Sequence, residues 1–203
     1  MRFTRQFAGR TWQSLSRAMA QLTSDSRGSQ IAEFAISLPL IIVFVVGIYD
    51  FSQAFGLKQK LGNAAAEGAR IASNQPTGDL TQPTPATVTA VARAVGAYLL
   101  SVGVNDCGLA SSPPSPGKVN LKWTYSANTG CSSPLTLTID RGFITTASLG
   151  NPYTTMKVEN TQVTLSYPYT WMFGNVITLL SPGSTYARGT SQLQGTATMQ
   201  NLN

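Results

Sequence analysis

The side chains that carry most enzyme chemistry are scarce in this chain. Its 203 residues include no histidine. That removes any Ser-His or Cys-His nucleophile pair and any His-ligated metal. Two cysteines, Cys107 and Cys131, are too few for a cysteine-rich zinc site. Ser115 and Lys118 have a Ser-x-x-Lys spacing, but they lie in SSPPSPGK, a proline-rich turn where a helical register cannot form. The eight acids include no pair placed for general acid–base work. No catalytic residue, metal, cofactor or small-molecule substrate is expected, and an envelope enzyme is the weakest functional reading.

One acid stands apart. Glu33 heads an apolar run, and Phe34 to Tyr49 carries no charge. An acid at a helix N-terminus is favoured by the macrodipole, so Glu33 reads as a capping-type acid at a membrane surface. It reads equally as a charge kept to meet a positive partner within the membrane, where ionisable groups are costly and usually functional.

The run itself is a membrane helix by length. Ile31 to Phe55 spans about 25 residues, roughly 37 Å at the helical rise, against a hydrocarbon core of about 30 Å. Helix is the only local way to satisfy the backbone there. Pro39 removes one donor and predicts a bend near Leu38–Pro39. Asp50 lies near the far end, where it can reach the interface.

Gly28-Ser29-Gln30-Ile31-Ala32-Glu33-Phe34 looks like the cleavage motif of type IV prepilins. Together with Ala35, Leu38-Pro39-Leu40, Gly47-Ile48-Tyr49-Asp50-Phe51 and Ala65-Ala66-Glu67-Gly68-Ala69-Arg70, it resembles the TadE-type pseudopilins. Those are minor pilin-like proteins of the tight-adherence (Flp, Tad) pilus machinery. The resemblance is dense over residues 27–73. It returns weakly at VTLSYP (Val163–Pro168) and GTATM (Gly195–Met199). It implies cleavage after Gly28 by a prepilin peptidase, a mature chain beginning at Ser29, and a Glu33 that pairs with the freed amine of a neighbouring subunit. The implied partners are that peptidase and the pilins or pseudopilins of a Tad/Flp system. The implied place is a bacterial inner membrane, with the N-terminus cytoplasmic and the C-terminal domain periplasmic or extracellular.

Charge agrees with that orientation. Residues 1–27 hold five arginines and one acid, a net of +4, whereas residues 29–203 hold nine basic and seven acidic residues. An arginine-rich leader stays cytoplasmic by the positive-inside rule. It reads either as an amphipathic helix on the membrane or as a disordered leader. The cations beyond it are scattered, so nucleic acid is not an expected partner. A conventional signal peptidase site after Ala54 or Ala66 is an alternative that would release a soluble product.

Beyond the membrane run, small residues (Gly62, Ala64, Ala65, Ala66, Gly68, Ala69) let another helix or a sheet approach closely, either the chain's own domain or neighbouring pilins. Residues 74–84 read as a loop. Thr84 reads as an N-cap with Pro85 at the first helical position. Val88, Val91, Val95, Tyr98 and Leu99 then form one stripe of a helix to about Val102. From Val119 the period becomes two. Alternating runs at Val119–Tyr125, Leu135–Ile139, Val163–Tyr167 and Leu193–Met199 predict an antiparallel sheet with one buried face. A parity change between Val158 and Val163 predicts a bulge or bend near Glu159–Gln162. Cys107 and Cys131 flank the first run and read as a structural disulfide outside the cytoplasm, worth roughly 3 kcal/mol for a loop of about 25 residues. In a cytosolic domain they would be free thiols. The stretch PYTWMFGNVITLLSP (168–182) is unusually apolar for a connection. It is either core or an exposed apolar patch docking on a partner subunit or the membrane surface, with Trp171 and Phe173 as candidate partner contacts.

The expected fold is α+β: a long N-terminal transmembrane helix, then a pilin-like domain with one short helix on an antiparallel sheet of about four strands. The expected divisions are a cleaved leader (1–28), a transmembrane helix (29–56), a helix extension and loop (57–82) and an extracytoplasmic domain (83–203). The expected function is that of a non-catalytic minor pilin or pseudopilin. The competing reading is an unprocessed single-span envelope protein with a binding domain.

Overall fold

The computed structural model describes residues 26–149, 154–172 and 190–201. The arginines of residues 1–25 and Phe173 lie outside the described residues. The chain divides into two compact units, one ending at Ile48 and the other beginning at Tyr49.

In the first unit the described chain is helix α1, Ser26–Ser73, which passes through Pro39 and continues into the second unit. The second unit adds helix α2 (Ala86–Ser101) and strands β1 (Gly117–Val119), β2 (Lys122–Ala127), β3 (Leu135–Leu149), β4 (Thr154–Thr170) and β5 (Thr190–Gln200). The strands form one antiparallel sheet in sequence order. The class is α+β as expected, with five strands among the described residues rather than about four. The extra strand arises at Asn120, whose φ of 54° breaks the alternating run Val119–Tyr125 into a tight hairpin. Asparagine tolerates that left-handed conformation better than most residues.

Register explains the buried face. Trp123, Ile139, Val163 and Ala197 lie opposite one another across four strands, and so do Tyr125, Leu137, Leu165 and Gly195. These positions join Leu61, Ala65, Ala69, Val88, Val91, Val95 and Leu99 of the two helices in one apolar core. The intervening positions form the outer face, where Thr124, Thr138, Thr164 and Thr196 make a cross-strand row. Their hydroxyls pair at 3.4 Å (Thr124–Thr138) and 3.3 Å (Thr164–Thr196).

The irregularity lies opposite the expected place. The register shifts between Asp140 and Phe143 on β3, across from Gln162–Asn160 on β4. The extra residue lets Arg141 turn inward. Its buried guanidinium donates to the carbonyls of Gln75 (2.9 Å) and Pro76 (3.3 Å), fastening the loop after α1 to the sheet.

The start of α2 also differs from expectation. Pro85 rather than Thr84 is the N-cap residue, and no side chain of its own caps the helix. Asp79 supplies the acceptor instead, receiving Thr87 N–H at 2.9 Å and Thr87 Oγ1–H at 2.6 Å. Burial works to raise the Asp79 carboxyl. The Thr87 hydrogen bonds and the nearby Arg141 charge outweigh it and hold the group below its usual range.

Helix α1 and the sheet approach closely at Gly195. A Cβ there would lie 2.5 Å from the Leu61 carbonyl carbon and 2.6 Å from the Gly62 nitrogen. Those are backbone atoms, which cannot swing aside. Gly195→Ala should therefore destabilise the domain by about 1–3 kcal/mol, the usual range for overpacking. The exposed neighbour change Thr196→Ala should stay within about 0.5 kcal/mol. Urea unfolding of the full chain in detergent, followed by tryptophan emission, measures both.

Asp79→Ala should cost about 1 kcal/mol at neutral pH, as loss of a helix cap does. Because the folded carboxyl titrates below the unfolded one, its contribution is complete above the unfolded value of about 4 and fades as pH falls through the folded value. The stability gap between wild type and Asp79→Ala should narrow on acidification in the same assay.

Candidate functional site

Gly28 and Ser29 lie in the first turns of α1 as described, and Glu33 and Phe34 follow one turn later. Glu33 is solvent-exposed. Phe34 is 60% exposed, and Ile31, Ile36, Leu40, Phe44 and Ile48 are similarly open. Nothing in the most apolar 18-residue window of this helix is buried. A helix of this length in the core of a soluble protein would be mostly covered. Such an all-round apolar surface, left open, fits a lipid environment. Length and apolar composition make α1 the one candidate membrane span among the described residues.

The character of α1 changes in the second unit. Asp50, Ala54, Leu61, Ala65, Ala69 and Ala72 are buried, at helical spacing. The stripe Ala65-Gly68-Ala69-Ala72 is small because the sheet and α2 come down onto it. A Cβ on Gly68 would meet Val95 of α2 and Val163 of β4. On the outer side of the same turns, Glu67 receives two hydrogen bonds from Arg70, at 3.0 and 2.7 Å. The motif Ala65–Arg70 thus combines an inner packing face with an outer ion pair.

Asp50 does not reach water. It is fully buried, and the Tyr169 phenol donates to its carboxylate at 2.6 Å. The same hydroxyl lies 3.1 Å from the Asp50 carbonyl oxygen. Burial, then the bond to Asp50, pushes the Tyr169 phenol up to about 12, so it remains a donor at any physiological pH. Tyr169 comes from the end of β4, beyond its last pair with β3. Trp171 follows it. Its indole N–H donates to Ser191 Oγ at 2.7 Å, and its ring packs edge-on against Tyr169 (5.0 Å) and tilted against Phe51 (5.2 Å). Trp171 is half-buried, while Met172 is 58% exposed.

The Asp50–Tyr169 pair was missed in the sequence. A signal for it exists: Asp50 shares the helical stripe of Ala54, Leu57 and Leu61, so the periodicity of the extension, traced back by two turns, marks it as inward-facing.

Cys107 and Cys131 are joined by a disulfide, with Cα atoms 5.5 Å apart. Asn105 braces this loop, accepting Cys107 N–H at 2.9 Å and donating to Gly130 O at 3.0 Å. Lys118 is spent on structure. Its ammonium donates to the carbonyls of Leu80, Thr81 and Gln82 at 2.7–3.0 Å and lies over the Trp123 ring. Among the described residues no three His, Cys, Asp or Glu side chains converge on a metal position.

No curated protein and no solved structure matches the chain. A family model does match the helix whose geometry has just been described: residues 28–70 are similar to the TadE-like protein family.

Proposed function

We propose that the protein is a non-catalytic, membrane-anchored minor pilin or pseudopilin that takes part in assembling a Tad/Flp-type pilus. The observation that carries the reading is the coincidence of the TadE-like match with a helix that is open and apolar before Ile48 and core-forming after it.

The mechanism follows from the chemistry of that segment. The arginine-rich leader keeps the N-terminus on the cytoplasmic side of a bacterial inner membrane. A prepilin peptidase cuts after Gly28, where the absence of a side chain lets the enzyme approach the backbone. The new amine at Ser29 is a cation beside an apolar helix. On assembly it meets Glu33 of a neighbouring subunit. Each charge alone would be expensive in lipid, and the pair offsets that cost. Phe34 adds an aromatic contact next to the pair. The outer α+β domain stands on the far side of the membrane, where its disulfide is compatible with an oxidising compartment.

Intact mass and N-terminal sequencing of protein recovered from membranes test the processing step. The native chain should begin at Ser29, and Gly28→Val should keep its leader. Wild-type protein beginning at Met1 or Arg2 would leave an unprocessed envelope protein as the better reading.

Glu33→Gln should still be cleaved but should enter pili poorly, because a neutral amide cannot balance the Ser29 amine. Quantifying the variant in sheared pilus fractions against total membrane protein measures this. Normal incorporation would remove the pairing role.

A further inference from the structure

The end of β4 has a feature that anchoring alone does not call for. Phe51 and Phe55 are 55% and 63% exposed on one stripe of α1, a turn apart. Trp171 packs on Phe51, and Met172 beside it is open. Lys58 and Lys60, both exposed, follow Phe55 on the helix. Aromatic and apolar side chains followed at once by lysines are the pattern of a membrane–water boundary. Rings of this kind settle at headgroup depth, and the ammonium groups reach lipid phosphate.

We infer that the β4 terminus is a foot of the domain that rests in the lipid headgroup layer, with Trp171 and Met172 entering the interface beside Phe51 and Phe55. The occupant of this patch is lipid because the patch continues along the chain from an open apolar helix, with only Ile48–Asp50 between them. The foot also has a reason to be there. Asp50 is a carboxylate one residue before Phe51, at the edge of the apolar run, where direct contact with acyl chains would be costly. Tyr169 covers it with a hydrogen bond, and Trp171 closes over Tyr169. The foot therefore allows α1 to be immersed as far as Asp50 without presenting the acid to lipid. On this inference the membrane boundary of α1 falls at Tyr49–Phe55, and the domain, rather than the helix alone, sets the depth of immersion.

This inference rests on the reading of α1 as a membrane span, so the experiment separates the two. The full chain is placed in phosphatidylcholine–phosphatidylglycerol vesicles whose acyl chains are brominated either near the headgroup or near the bilayer centre. Tryptophan quenching is then read for wild type, Trp171→Phe, Met172→Trp and Phe44→Trp. Shallow bromines should quench a part of the wild-type emission that Trp171→Phe lacks. They should also quench the added emission of Met172→Trp, which tests the foot even if Trp171→Phe disturbs the fold. Deep bromines should quench the added emission of Phe44→Trp. If Phe44→Trp is quenched but neither Trp171 nor the tryptophan of Met172→Trp is, the span stands and the foot is wrong, leaving the patch for a protein neighbour. If none is quenched, the span itself is wrong and the foot falls with it.

Discussion

The close approach of α1 to the sheet is the constraint on which the domain depends. Gly195 brings β5 to backbone contact with Leu61 and Gly62, and Gly68 brings α1 against Val95 and Val163. With larger side chains at these points the helix would stand off, and the rows through Trp123 and Tyr125 would lose their cover. Each fully buried Leu, Val or Ile in those rows contributes about 1.5–3 kcal/mol, so small residues at the seam earn their place through the large ones they allow to be buried. The same seam accounts for two sequence blocks that otherwise look unrelated. The alanine-rich turns of the helix and the glycine of the last strand are the two sides of one contact.

Asp50 and Tyr169 form the second junction. A buried carboxylate is tolerated only when it is hydrogen-bonded, and Tyr169 provides a short bond from a phenol that burial keeps protonated. Because the donor lies 119 positions further along the chain, this contact also fixes where β4 ends against the helix. Pro168, which has no N–H to give, sits where β4 pairs only with β5. A proline is compatible with a strand at such an edge. The apolar stretch from Pro168 to Met172 is therefore the means by which the sheet reaches back to the helix.

Much of this was legible because it depends on period. The open apolar run of α1, the stripe of α2 and the alternating strands are each set by spacing within one element. What escaped depended on partners distant in sequence. Asn120 looked like one polar position in a strand, and its turn became evident only when β1 paired with β2. Adjacency alone points to Thr84 as the cap of α2, whereas the carboxylate comes from Asp79 across a loop. A parity change on β4 points to a bulge there, but the strand that accommodates it is β3, at Arg141–Gly142. A parity change shows that two strands must adjust and leaves open which of them does. Asp50 was read from its position at the end of a hydrophobic run, when the stripe it belongs to was the stronger clue.

The two halves of α1 obey different rules, and that division bears on how such a protein can be processed. From Phe34 to Ile48 the helix is uncharged and largely apolar, as expected for a surface that meets lipid. From Asp50 onward it has one buried stripe and one polar side, as expected for a helix on a water-facing domain. Among the described residues, the first side chain of this helix that packs against the domain's apolar core is Leu57. Among the described residues, every buried side chain of the domain's core lies beyond Gly28. On the proposed cut after Gly28, the mature chain would gain the Ser29 amine, one helical turn from Glu33.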